Sequence, residues 1–376
     1  MSQYGSLDFF NRLLSTMVQV NASDLYLKAE SPPTLRIEGQ LSPIESPPLT
    51  PEDTKTMAYA IMPEEEQRLF PKTWEANFVY TPDHLGRFRI NVYLQRDSVA
   101  MVIRRIRDDI LEFEQLGLPP VTKEISLYRR GMVLVTGSTG SGKSTTLATM
   151  IRYRNQHPSA NGHILTVEDP IEFLHHDINC IISQREVGSD TRSFKMALTN
   201  AMRQAPDVLL VGEMRDVDSV KTGVYFAETG HLVLSTLHST NASQTIERLL
   251  QFFPLTEKDQ ILQHIALNLR AVICQRLIPR KDEPGRALAL EILIVNARMR
   301  DLLSKSAFDQ MQKELDFFHT EGMTSFDNSL IELFQQGKIT IEDCIRNSDN
   351  PRDMKLKLKK IGSFTHRETD TEEEGI

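Results

Sequence analysis

Eight consecutive residues, Gly137-Ser138-Thr139-Gly140-Ser141-Gly142-Lys143-Ser144, fit the GxxxxGKS spacing. That pattern suits one kind of chemistry. Glycine backbones let N–H groups close around a phosphate, a following helix adds positive potential at its N-terminus, and Lys143 neutralises terminal phosphate charge. Ser144 offers a hydroxyl to Mg²⁺, and Thr145 completes the candidate nucleotide-binding set. The run follows the apolar strand-like Met132–Val135 and precedes Thr145–Met150, which reads as a helix. This strand–loop–helix order separates it from a chance match.

Two acidic segments lie downstream. Asp207-Val208-Leu209-Leu210-Val211-Gly212-Glu213 is an apolar strand that delivers a carboxylate to a sheet edge, where open α/β sheets bind ligands. Glu213 can act on the Mg²⁺ shell or orient an attacking water. Leu165-Thr166-Val167-Glu168-Asp169-Pro170-Ile171-Glu172-Phe173 is a second strand ending in acids, and its Asp-Pro step favours an outward turn. Glu168 is the candidate general base or water-positioning group, with Glu172 as competitor. Phosphoryl transfer depends chiefly on positioning and electrostatics, so one aligned carboxylate suffices.

Basic residues add a third layer. His231 and His238 bracket the apolar run Leu232–Leu237. Their spacing fits no zinc motif. They are either structural or sensors of a terminal phosphate, because imidazole changes hydrogen-bond roles cheaply near neutral pH. Arg87 and Arg89 share one face of a strand, and Arg104 and Arg105 end another. Each is either solvated or an arginine finger that stabilises charge developing on phosphates.

These residues need a scaffold. Leu7, Phe10, Leu14 and Met17 have helical spacing, so an amphipathic helix opens the chain. Short β-rich runs follow at Leu25–Leu27, Thr34–Ile37, Phe78–Tyr80, Arg87–Val92 and Ala100–Ile103. They predict an antiparallel sheet with helices on one face over residues 1–107. A charged stretch, 108–120, ends in Gly117-Leu118-Pro119-Pro120 and reads as a connector. The apolar strands Met132–Thr136, Ile164–Val167, Val208–Val211 and Leu232–Ser235 then alternate with helical segments. They predict a parallel sheet covered on both faces, within a domain over 121–362. From about Pro254 the pattern reads as helical, with Leu262, Ile265, Ala266 and Leu269 on one stripe. Residues 363–376 read as an acidic, disordered tail.

Composition sets the outer limits. The chain has 376 residues, 40% hydrophobic and 25% charged, enough for two or three ordinary domains. No apolar stretch approaches the roughly 20 residues needed to span a bilayer, and the N-terminus lacks a secretory pattern. The three cysteines (Cys180, Cys274, Cys344) form no CxxC pair, which fits a reducing compartment. A net charge of −8, with no basic stripe or aromatic stacking platform, argues against a nucleic-acid motor.

The motifs together resemble the PilT/PilU family of type IV pilus retraction ATPases, within the secretion ATPase superfamily. Asn21-Ala22-Ser23-Asp24-Leu25 and Gly86-Arg87-Phe88-Arg89 look like its N-terminal signatures. The P-loop, Glu168–Phe173, Gly212–Asp216 and Ala227–His238 look like its four nucleotide-site boxes. The resemblance implies an α/β fold, with a RecA-like P-loop NTPase domain joined to an N-terminal α+β PAS-like domain. It implies ATP and Mg²⁺ as ligands and a cytoplasmic homo-hexamer, peripheral to the inner membrane at the pilus base. By the same resemblance Glu168 is the general base, Glu213 the Walker B acid, and His231 and His238 the His box. Arg87, Arg89 and Arg104 approach the nucleotide, and Arg203 sits near the phosphates or a subunit boundary. The implied partners are an inner-membrane pilus platform protein and a sister retraction ATPase.

Three departures point to the PilU branch. Met202-Arg203-Gln204-Ala205-Pro206-Asp207 lacks the acidic pair that usually follows that arginine. Asn296–Leu302 follows the Ala-Ile-Arg motif loosely, and Lys355–Lys360 with the acidic tail extends past the usual end. The scattered cysteines also exclude the tetracysteine zinc insertion of the related extension ATPases. Two functions follow: a motor that retracts pili by ATP hydrolysis, or an accessory ring subunit that binds nucleotide and reinforces a sister ATPase.

Overall fold

The computed structural model describes residues 3–317 and 322–360, so the acidic tail expected over 363–376 lies outside the described residues. The chain forms two compact units: Met1–Asp109 with Ile171–Leu174, and Ile110–Pro170 with His175–Ile376.

The first unit is built on a six-stranded antiparallel sheet in the order β3-β2-β1-β6-β5-β4. Its strands are β1 (Asp24–Leu27), β2 (Thr34–Ile37), β3 (Gln40–Pro43), β4 (Glu75–Tyr80), β5 (Arg87–Gln95) and β6 (Ser98–Ile106). On β5, Phe88, Ile90 and Val92 are buried and alternate with half-buried Arg87, Arg89 and Asn91. This period of two puts one face on a core. The opening helix Leu7–Gln19 supplies that core with Phe10, Leu14 and Met17. Leu7 is 40% exposed, because it sits in the first turn just after the N-cap Ser6, and Phe9 and Leu13 complete the stripe instead. A reciprocal cap between Thr50 and Asp53 starts the helix Pro51–Ile61.

The second unit holds a seven-stranded sheet in the order β13-β12-β7-β11-β10-β8-β9. Its strands are β7 (Gly131–Gly137), β8 (Gly162–Glu168), β9 (Cys180–Glu186), β10 (Val208–Val211), β11 (Leu232–Leu237), β12 (Leu269–Pro279) and β13 (Arg286–Ile294). All neighbours pair in parallel except β12 with β13. Every residue of β7, β10 and β11 is buried, as strands covered on both faces require. The stretch 108–120, read above as a connector, packs Phe113 and Leu118 into this unit's core.

The region after Pro254 differs from the expected helical run. The helix Leu255–Asn268 buries Leu262, Ile265 and Ala266, but Leu269 is already the first residue of β12. Ala271-Val272-Ile273-Cys274 lies fully buried between β7 and β13. An apolar run without polar alternation looks the same in a helix and in a central strand, and here the sheet wins. Helices resume at Ala297–Ser304, Phe308–Phe317, Phe326–Gln335 and Ile341–Asn347, followed by a helix over 351–360.

Candidate active site

The P-loop leaves β7 at its C-terminal end. Gly137 (φ 147°), Gly140 (φ 77°) and Gly142 (φ 89°) all hold backbone conformations that L side chains avoid. At Gly137 space also forbids a side chain, because a Cβ would lie 2.4 Å from Ser141 Oγ and 2.6 Å from the Gln275 carbonyl oxygen. The helix Lys143–Gln156 starts from Gly142 without a side-chain cap. Three other helices of the unit are capped by the side chains of Ser193, Asp216 and Asn241. The first N–H groups of the P-loop helix are therefore not consumed by a side chain, which is the arrangement that binds phosphate. Lys143 is 9% exposed, and its Nζ donates to the carbonyls of Gly137 at 3.1 Å and Ser138 at 3.0 Å. Ser141 is buried, whereas Ser144 and Thr145 are half-buried at the helix start.

Parallel pairing brings the acids to the same edge. β11 lies between β7 and β10, and β8 follows β10, so the strands carrying the P-loop, Glu213 and Glu168 all end on one side. Glu168 ends β8 half-buried, and its Oε1 accepts from Thr166 Oγ1 at 2.6 Å and Gln184 Nε2 at 3.4 Å. Gly212 donates its N–H to the Val167 carbonyl at 2.8 Å. A Cβ there would sit 3.3 Å from the Glu168 Cα, so glycine permits this close approach. Glu213 Oε2 accepts from Arg215 Nε at 2.6 Å, and Arg215 also lies 3.5 Å from Asp169 Oδ2. The Glu213 hydrogen bond, then the neighbouring carboxylates, raise the Arg215 pKa above its ordinary value. His238 follows β11, with Nε2 3.3 Å from Glu213 Oε1. Glu172 is exposed and belongs to the segment grouped with the first unit.

Two residues expected from the sequence sit at the opposite edge of the sheet. His231 precedes β11, where its carbonyl accepts from Gly131 N at 2.9 Å at the start of β7. It is separated from His238 by a whole strand, about 23 Å at roughly 3.3 Å per residue. Its Nδ1 lies 3.0 Å from both Thr229 Oγ1 and the Phe226 carbonyl, and its ring stands edge-on to Phe226. His231 is thus at the sheet edge opposite this chain's P-loop. Arg203 is exposed in the turn Met202–Gln204 that leads into the start of β10, where it donates to Asn200 Oδ1. That too is the edge opposite the phosphate cradle. In both cases parallel strand direction decides the location, and a sequence box gives no warning of it.

Arg87, Arg89 and Arg104 belong to the first unit, with Arg89 directly opposite Arg104 across β5 and β6. Arg104 Nε donates to Asp24 Oδ1 at 2.7 Å, and Asp24 is 2% exposed. The sequence reading gave no role to Thr166, Gln184 or Arg215. A hydroxyl two residues before a strand-end acid was the available signal for Thr166.

No cluster of three or more His, Cys, Asp or Glu suited to a metal occurs among the described residues. The Ser144 hydroxyl and the Glu213 carboxylate are hard oxygen donors of the kind Mg²⁺ takes, and two protein ligands suit an ion that arrives with phosphate oxygens. No helix among the described residues is long and apolar enough to cross a membrane.

Comparison with known proteins identifies the family. The family described as Type II/IV secretion system protein matches residues 6–366. The type IV pilus ATPase PilU of Pseudomonas aeruginosa is 42% identical over 354 residues, covering 94% of this chain and 92% of the relative. The type IV pilus retraction ATPase PilT of the same organism is 40% identical over 339 residues, covering 90% and 98%. A crystal structure of the pilus retraction motor PilT with bound ADP superposes with a TM-score of 0.84 at 40% identity, over 91% of this chain and 97% of that one. The chain thus belongs to the Type II/IV secretion system protein family, as a PilT/PilU-type pilus ATPase with a RecA-like domain and an N-terminal α+β domain.

Proposed function

We propose that this chain is a Mg²⁺-dependent ATP hydrolase that works as a homo-hexameric ring to power or support type IV pilus retraction. The carrying observation is the shared strand edge: an uncapped P-loop helix carrying Lys143 at the same edge of the sheet as Glu168 and the Glu213–His238 pair. The glycine loop and Lys143 bind the triphosphate, with Gly137, Ser138, Thr139, Gly140, Ser141 and Gly142 supplying backbone and Thr145 the next hydroxyl. Ser144 and Glu213 would hold Mg²⁺, which when bound would supply positive charge against the phosphates. Glu168, steadied by Thr166 and Gln184, orients water toward the terminal phosphate. His238 reports the state of that phosphate to Glu213.

Work is delivered in the cytoplasm to an inner-membrane pilus platform protein, alongside a sister retraction ATPase. Purified protein should hydrolyse ATP only with Mg²⁺. Lys143→Ala should abolish turnover and Glu168→Gln nearly abolish it, whereas full turnover in both variants refutes the site. Turnover with and without the sister ATPase separates a motor from an accessory ring subunit.

A further inference from the structure

The loop His238-Ser239-Thr240-Asn241 joins β11 to the helix Ala242–Gln251 and carries the histidine that meets Glu213. Part of its hold is local: Ser239 Oγ lies 2.6 Å from Thr245 Oγ1, and Asn241 Oδ1 caps Gln244 N at 2.9 Å. Two further anchors come from the β12–β13 hairpin. Arg276 of β12 donates to the Thr240 carbonyl at 3.2 Å. Glu291 of β13 accepts the Ala242 N–H at 2.7 Å.

Both anchors are tied to the C-terminal helices. Arg276 also donates to the Asn347 carbonyl at 2.5 Å and Asp349 Oδ1 at 2.6 Å, and its guanidinium lies 3.8 Å from the Phe326 ring centre. Glu291 is 0% exposed, and its second oxygen accepts from Gln312 Nε2 at 3.1 Å. A carboxyl group removed from water is costly unless its hydrogen bonds are satisfied, and both Glu291 oxygens are engaged. Here one bond is made to the first helical N–H after the His238 loop.

We propose that Arg276 and Glu291 are positioning residues that hold His238 in register with Glu213 and couple its loop to the C-terminal helices. The proposal rests on the ATPase reading above. Neither side chain bonds to the P-loop, so both act through the loop.

The test uses the full chain with Arg276→Ala, Arg276→Lys, Glu291→Ala and Glu291→Gln. Steady-state ATP turnover is measured beside the affinity of a fluorescent ATP analogue. The alanine variants should lower kcat by about tenfold or more, with KM and analogue affinity within about twofold, because a small displacement of a reacting constellation costs rate before binding. Glu291→Gln should return kcat to within about threefold of the parent, since its amide oxygen can still accept from Ala242 N and, once the Gln312 amide turns over to present Oε1 in place of Nε2, its N–H can donate there. Wild-type kcat in both alanine variants overturns the proposal. So does a kcat loss that merely follows lost analogue affinity, or no rescue by Gln. If Glu291→Ala fails to fold, the Arg276 pair decides alone.

Hydrogen exchange across 238–245 gives a readout independent of turnover. Faster exchange in the alanine variants supports the coupling, and unchanged exchange refutes it. If the wild type shows no turnover removable by Lys143→Ala, the ATPase reading has failed, and exchange still decides whether the loop is held in this way.

Discussion

Glu213 Oε1 and His238 Nε2 stand 3.3 Å apart just past the ends of adjacent strands, while the second Glu213 oxygen is held by Arg215 at 2.6 Å. The carboxylate is gripped from two sides and cannot swing without breaking one contact. Glu213→Gln keeps the shape and removes the charge. Turnover should fall about 100-fold while an ATP analogue still binds, because charge at this point is used chiefly in the transition state. Steady-state kinetics beside an analogue titration checks it.

His238→Ala removes the other partner. Its expected loss is smaller, about tenfold in kcat with little change in KM, since Arg215 still holds Glu213. The same assays on a His238→Asn variant, which keeps one donor, should fall between the two.

Gly162→Ala tests the far edge of the sheet. Gly162 has φ +133°, and an added Cβ would lie 2.2 Å from Asp207 Oδ2, the oxygen that accepts His163 N at 2.7 Å. Strain and the displaced hydrogen bond together should cost about 2–4 kcal/mol. A fall in the urea midpoint with an unchanged slope is the expected result.

Glu291 gives stability a pH dependence. Burial raises its pKa to about 7, against an ordinary 4.5, partly offset by the Ala242 N–H and Gln312. The folded chain therefore keeps a proton that the unfolded chain releases, so this contribution is complete below pH 4.5 and lost as pH rises through 7. Its full size is on the order of 3 kcal/mol. Denaturation midpoints between pH 5 and 8 should fall more steeply in the parent than in Glu291→Gln.

Asp24→Ala addresses the first unit. Asp24 is 2% exposed and accepts from Ser23 Oγ at 2.8 Å and Arg104 Nε at 2.7 Å. Arg104 is mostly exposed, so screening limits the loss to about 1–2 kcal/mol. Thermal unfolding should show it as a lower midpoint.

The β7, β10 and β11 strands were legible because no polar residue breaks their apolar runs until the functional end. The P-loop was legible because its glycines and lysine have few other uses in that order. β9 was not, since only Cys180 and Glu186 of its seven residues are buried and no alternation marks it. β12 was hidden by continuity with the preceding helix. The location of His231 was not legible for a different reason. It shares one short run with His238, but only the C-terminal end of a parallel strand reaches the ligand edge. Arg276 and Glu291 could not be linked to His238 from sequence, because that link exists only once the hairpin lies beside β7.

The position of β12 has a practical consequence. It pairs along β7 from Leu269 to Gln275, on the side away from β11. A fragment ending near residue 268 would strip one whole flank from the strand that carries the phosphate loop, baring its backbone to any passing chain and inviting aggregation. Any minimal catalytic fragment has to run at least through Ile294.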